Sequence, residues 1–214
     1  MSIGALAVGY EMLRFRVISL ATLAVVLLFS FGFIESDLLA EERLGDTALR
    51  ELVNTPGHFL IMRHAMAPGI GDPENFQVED CSTQRNLSEA GRRQAQRTGE
   101  MLRSLDISDA KIFSSRWCRC LETARLLELG SVVPMDSLNS FFREWDREKK
   151  QIAQLRADIA AMDLSGPVVL VTHQVVISGI AETSTRSGEI IVMHREAPDK
   201  ITVVGSIAAR ALDE

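Results

Sequence analysis

Val168-Val169-Leu170-Val171-Thr172 is the segment that most restricts how this chain can fold. Gly166-Pro167 introduces it and His173 ends it. A run that is apolar at every position buries both faces of its pleat, so it predicts a central strand of a parallel sheet covered above and below. A second compact run, His58–Arg63, follows the helix stop Pro56-Gly57 and predicts another buried strand. Lys111–Ser114 and Ser131–Met135 predict two more. Ile190–Met193 and Ile201–Val204, around Ala197-Pro198-Asp199, predict a closing hairpin. Helices are expected between the strands. One covers Asp46–Val53, with Asp46 as N-cap. Another, capped by Ser88, runs to Leu105 with Ala90, Ala95, Met101, Leu102 and Leu105 on one face. A third is expected over Cys120–Leu129, ended by Gly130, and a fourth carries the stripe Ile152, Leu155, Ile159 and Met162. Strands alternating with helices give an α/β sheet covered on both faces.

Residues 1–40 differ in kind from the rest. Val17 to Ile34 holds no charge over 18 residues; Arg14 and Arg16 precede it, and Glu35 and Asp37 follow. A basic flank, an apolar run and an acidic flank predict an export signal. The run also has the length of a bilayer span. Leu38-Leu39-Ala40 is a poor cleavage site, so a cleaved signal peptide and a retained hydrophobic membrane helix both stay open. In either case residues 41–214 form one domain outside the cytosol, periplasmic or otherwise extracytoplasmic. The net charge of −6 argues against nucleic acid as a partner.

The chemistry gathers at strand ends. His64 follows the first apolar strand and His173 follows the Val168–Thr172 strand. Ligands of open α/β sheets bind beyond the carboxyl ends of the strands. Two central strands that end in histidine therefore bring both imidazoles to one crevice if the strands are neighbours. Arg63 adjoins His64, Arg85 ends a loop of roughly twenty residues (65–86), and Arg119 opens a helix. Guanidinium forks match phosphate oxygens. Positive charge nearby lowers a histidine pKa, which keeps a lone pair for attack on phosphorus.

Met62-Arg63-His64-Ala65, Leu87-Ser88-Glu89-Ala90-Gly91-Arg92-Arg93-Gln94-Ala95, Ser114-Ser115-Arg116-Trp117-Cys118-Arg119-Cys120-Leu121-Glu122-Thr123-Ala124 and Val171-Thr172-His173 together resemble the histidine phosphatase (phosphoglycerate mutase-like) superfamily. Arg-His-Ala in place of Arg-His-Gly resembles its small phosphohistidine-phosphatase-like branch. The resemblance implies a three-layer α/β/α fold with a mainly parallel central sheet and no cofactor. It makes His64 the phosphorylated nucleophile, Arg63 and Arg119 phosphate ligands, and His173 a hydrogen-bonding stabiliser. Arg85 and Ser115 become substrate contacts. The implied activity is hydrolysis of a phosphomonoester or phosphoramidate; the substrate would be a phosphorylated small molecule, glycan or protein. The acid that many members use to protonate the leaving oxygen has no clear counterpart. Asn139 and Ser140 stand near its expected place, and Glu144 and Asp146 come slightly later, with Glu144 the candidate acid. A missing acid suits a good leaving group such as a phosphoramidate. It also leaves open a non-catalytic protein of the same fold that binds a phosphorylated ligand.

Cys81, Cys118 and Cys120 all fall in segments that should border the site. An exported domain permits a disulfide. Cys81 paired with Cys118 would tie the long loop to the helix of Arg119 and leave Cys120 a small buried residue; three buried thiols are the alternative. A zinc site from His64, His173 and Cys81 would be opposed by the surrounding arginines.

Overall fold

A computed structural model describes residues 46–208 of the chain. The apolar segment 17–34 lies outside the described residues. Among the described residues no helix is long and apolar enough to cross a membrane.

Six strands form one sheet: β1 (His58–Arg63), β2 (Lys111–Ser114), β3 (Val132–Pro134), β4 (Val168–Thr172), β5 (Ile190–Ala197) and β6 (Lys200–Ile207), in the order β3-β2-β4-β1-β5-β6. β3, β2, β4 and β1 are mutually parallel, while β5 and β6 run antiparallel. The sheet is therefore mixed, which corrects the expectation of a mainly parallel one. β5 pairs antiparallel with β1, and the tight connection at Pro198-Asp199 then makes β6 antiparallel to β5, because a short turn can join only antiparallel neighbours. The hairpin itself is longer than expected at both strands.

Helices cover both faces. α1 (Asp46–Asn54), α2 (Glu89–Ser104) and α3 (Cys118–Leu126) pack on one side, and α4 (Glu148–Ala161) and α5 (Gln174–Ala181) on the other. Strand alternation divides the core accordingly. Leu60, Met62, Val169 and Val171 face the first layer; Phe59, Ile61, Val168 and Leu170 face the second. Every residue of β4 is buried, as a strand apolar on both faces demands.

Ser88 caps α2 by accepting from the Gly91 N–H. α3 begins two residues before its expected start and ends three before its expected stop. The end is set by Arg103, whose Nη1 donates to the carbonyls of Leu127 and Glu128, and by the left-handed φ of 52° at Glu128. α5 was not anticipated from sequence. Its Val175-Val176-Ile177 core reads locally as strand, and packing against α4 and β1 overrides that preference.

The 65–86 loop is stapled rather than slack. Arg85 Nε donates to the Gly71 carbonyl at 2.8 Å, and Gln84 Nε2 donates to Gln77 and Val78. Cys81–Thr83 forms a 3-10 turn. A disulfide joins Cys81 to Cys118, while Cys120 is a free, buried thiol.

Candidate active site

β1 and β4 are hydrogen-bonded parallel neighbours, and their register pairs Arg63 with Thr172. The residue after each is a histidine, so His64 and His173 emerge level with each other. The His64 N–H donates to the Thr172 carbonyl at 2.9 Å. The two rings meet edge to face, 5.5 Å between centroids. They are 2% and 4% exposed.

Hydrogen bonding fixes both tautomers. His64 Nδ1 lies 2.8 Å from the Ala65 carbonyl, which can only accept; the proton is on Nδ1 and the lone pair on Nε2. Arg119 Nη2 donates to His173 Nδ1 at 3.4 Å, so the His173 proton is on Nε2, 2.8 Å from Ser115 Oγ. Cys120 Sγ is 3.4 Å from the same Nε2. Burial and then the charge of Arg119 lower the His64 pKa to about 3. The same two causes, with further repulsion from His64, hold His173 well below the ordinary value. Both imidazoles are neutral at neutral pH. Burial pushes the Cys120 thiol up to about 12, which keeps it protonated.

Arg63, Arg85 and Arg119 line the same cavity, which has a volume of about 390 Å³. Arg63 Nη1 donates to the Thr185 carbonyl at 2.7 Å. Burial lowers the Arg85 pKa to about 10, with Arg119 adding to the effect. The Nε atoms of Arg63 and Arg119 are buried and have no partner. Buried N–H donors without acceptors are costly. Two of them beside a cavity mark a place for an anion.

Asp72 is the residue that sequence reasoning missed. Its carboxylate accepts from Arg119 Nη1 at 2.7 Å, Arg119 Nη2 at 3.1 Å, Trp117 Nε1 at 3.0 Å and the Arg85 N–H at 3.1 Å. Four donors satisfy the lone pairs of both oxygens. Burial works to raise its pKa, but the bonds and charge of Arg119 outweigh that and lower it. Asp72 thus locks the outer edge of the Arg119 guanidinium and leaves the inner Nε edge unoccupied. Three guanidiniums and one carboxylate leave a formal charge of two, equal and opposite to a phosphate dianion. Nothing in Gly71-Asp72-Pro73 marks this role, because the partner lies 47 residues away.

The other expected residues are placed as follows. Ser115 is fully buried and does not line the cavity; its hydroxyl is spent on His173 and Asn139. It orients His173 instead of meeting a ligand. Glu144 lines the cavity from an exposed position, with its carboxylate paired to Arg147. Ser140 also lines it, whereas Asn139 accepts from the Arg116 N–H and Ser115, and Asp146 is away from the cavity. Cys81, being in the disulfide, is removed from any zinc set with the two histidines.

Residues 59–151 match the family model of the histidine phosphatase superfamily (branch 1). Over that stretch the chain is similar to that superfamily. The matched stretch carries His64, Arg63, Arg85 and Arg119 but ends before His173, whose place rests on strand register and ring geometry. No curated protein matches the sequence. Among solved structures, the SixA protein from Agrobacterium tumefaciens is 17% identical with a TM-score of 0.51, covering 72% of this chain and 99% of its own. The protein histidine phosphatase SixA complexed with tungstate is 15% identical with a TM-score of 0.51, covering 71% and 97%. A phosphoserine phosphatase from Entamoeba histolytica, in complex with 3-phosphoglyceric acid, is 14% identical with a TM-score of 0.54, covering 72% and 98%. The histidine phosphatase fold therefore spans nearly the full length of these relatives and the described body of this chain.

Proposed function

We propose that this protein is a histidine phosphatase that hydrolyses a phosphomonoester or phosphoramidate outside the cytosol, through a phosphohistidine on His64. The observation that carries the reading is the His64 imidazole: neutral, with Nδ1–H held by the Ala65 carbonyl and Nε2 without a hydrogen bond among the described residues, in a cavity that Arg63, Arg85 and Arg119 also line. Arg63 and Arg119 hold the phosphoryl oxygens, and Arg85 adds positive charge at the same wall. Nε2 of His64 attacks phosphorus as the leaving-group bond breaks, and water then attacks the phosphohistidine to release phosphate. His173, with its Nε2–H on Ser115 and its Nδ1 accepting from Arg119, stands edge to face with the His64 ring and holds that ring and the Arg119 guanidinium in place. Catalysis here is positioning and charge stabilisation. Action outside the cytosol is supported by the Cys81–Cys118 disulfide together with the apolar segment 17–34, since oxidising compartments preserve such bonds.

The carboxylates around the cavity favour a second reading. Asp72 is ionised and fully bonded, and Glu144 is paired to Arg147, so neither is a free acid for a leaving oxygen; Glu74 lines the cavity from an exposed position, without an ion pair among the described residues. A protein that only binds a phosphorylated ligand needs no such acid. Incubation with acetyl phosphate followed by rapid denaturation separates the two. The catalytic reading expects acid-labile, base-stable phosphate on His64, absent in His64→Ala. Phosphate binding without any covalent adduct would leave the binding reading in place.

A further inference from the structure

The cavity is much larger than a phosphoryl group of a few atoms, and its surplus volume has its own chemistry. Beyond the arginines its apolar lining is Phe76, Trp117, Phe142, Ile70, Pro73 and Val175, with Ser140 and Gln174 among the polar residues between them. Trp117 is held by its bond to Asp72, stands edge-on to His173 with centroids 5.5 Å apart, and tilts against Phe76 at 5.6 Å. Phe142 packs against Gly71, where an added Cβ would sit 3.3 Å from its Cε1, and stands edge to face with Trp145 at 5.8 Å. Ile70 is 84% exposed and Phe142 36% exposed, although both are large and apolar. Apolar side chains left in water at the mouth of a cavity mark a surface awaiting a ligand. The charged residues beyond the arginine wall, Glu74, Arg143 and Glu144, are themselves exposed.

Resting on the phosphohistidine reading, we infer that the substrate class is the aryl phosphate: a phosphate ester of a phenol whose ring lies against the aromatic wall. Two independent features converge on it. The wall offers flat apolar surfaces and ring edges, which suit an aromatic body. Asp72, the carboxylate set into the arginine wall, is fully bonded, Glu144 is paired to Arg147, and Glu74 stands exposed beyond that wall, so no carboxylic acid is held against His64 and the leaving oxygen departs as an anion. A phenol leaves from a pKa of about 10, whereas a group comparable to water would leave from about 16. As the His64 Nε2–P bond forms, the aryl O–P bond breaks and the phenolate departs with the electron pair, taking a proton from solvent. Water then attacks phosphorus as the Nε2–P bond breaks, its electron pair returns to neutral His64, and the water protons leave with the phosphate or to solvent.

Binding and turnover test this separately. Phenylphosphonate should inhibit at least tenfold more tightly than methylphosphonate, with the charge pattern the same in both. In turnover, phenyl phosphate should exceed cyclohexyl phosphate at least a hundredfold in kcat/KM. Phe142→Ala should narrow the phosphonate ratio at least fivefold. Ile70→Ala, too exposed to matter for folding, should narrow it in the same direction. Equal inhibition by the two phosphonates, or faster turnover of the cyclohexyl ester or of a sugar phosphate, overturns the proposal. Acetyl phosphate labelling of His64 is run alongside. Labelling with no aryl preference rejects the substrate class alone, and absence of labelling rejects the phosphohistidine reading beneath it.

Discussion

Replacing both Cys81 and Cys118 with serine removes the bridge that ties the 65–86 loop to the start of α3. The bridge spans a sequence separation of 37 residues. Closing a loop of that length in the unfolded chain removes about 13 cal/mol/K, or about 3.8 kcal/mol at 25 °C, on the chain-entropy model. Unfolding entropy of about 2.1 cal/mol/K per residue, over the 163 residues from 46 to 208, converts this to a fall in Tm of about 11 °C. Scanning calorimetry of the oxidised wild type, the reduced wild type and the double variant is the assay. The last two should coincide, both about 11 °C below the first. Function should suffer well below the melting transition, because the released loop carries Asp72 and Arg85, which set the Arg119 guanidinium. A misplacement of about 1 Å costs on the order of a hundredfold in rate. A variant melting within about 3 °C of the oxidised protein, with kcat/KM unchanged, would refute the argument that this loop is held by the bridge.

Other outcomes follow from the same geometry. The folded pKa of His64 is about 3 and that of an unfolded histidine about 6.5, so between these values only the unfolded chain takes up the proton. Stability is therefore unaffected by this group above pH 6.5. Below it, stability falls by about 1.4 kcal/mol per pH unit until about pH 3. Denaturant titrations of His64→Gln from pH 6 to 4 should show a slope shallower by that amount, and an unchanged slope would mean the imidazole is not buried neutral. Asp72→Ala leaves the Arg119 guanidinium, only 2% exposed, without its carboxylate. Breaking a buried pair from one side costs about 3–5 kcal/mol, measurable as a shift in urea midpoint. A loss under about 1 kcal/mol would show that Asp72 does not hold Arg119 in solution.

Much of the inner site was legible in sequence because it is local to strand ends. His64 and His173 each terminate a run whose apolarity announced a central strand, and Arg63 and Arg119 sit within a residue or two of chain signals for a strand end and a helix start. The same locality explains the misses. Asp72 acts on a guanidinium 47 residues away, and Ser115, expected at the ligand, turns inward to His173. The residues of α5 carry strand-like side chains and form a helix only because β1 and α4 supply its packing.

Sequence by itself determined the alternation of strand and helix, the two histidines at strand ends and the gathering of arginines, since each is written in a few consecutive residues. Tertiary structure alone decided that β1 and β4 are neighbours with Arg63 opposite Thr172. It also decided that β5 runs antiparallel to β1 and β6 antiparallel to β5, and that a loop carboxylate holds the Arg119 guanidinium while its Nε is buried without a partner. Register, pairing and the satisfaction of buried charge are properties of surfaces brought together from distant parts of the chain. No local pattern encodes them.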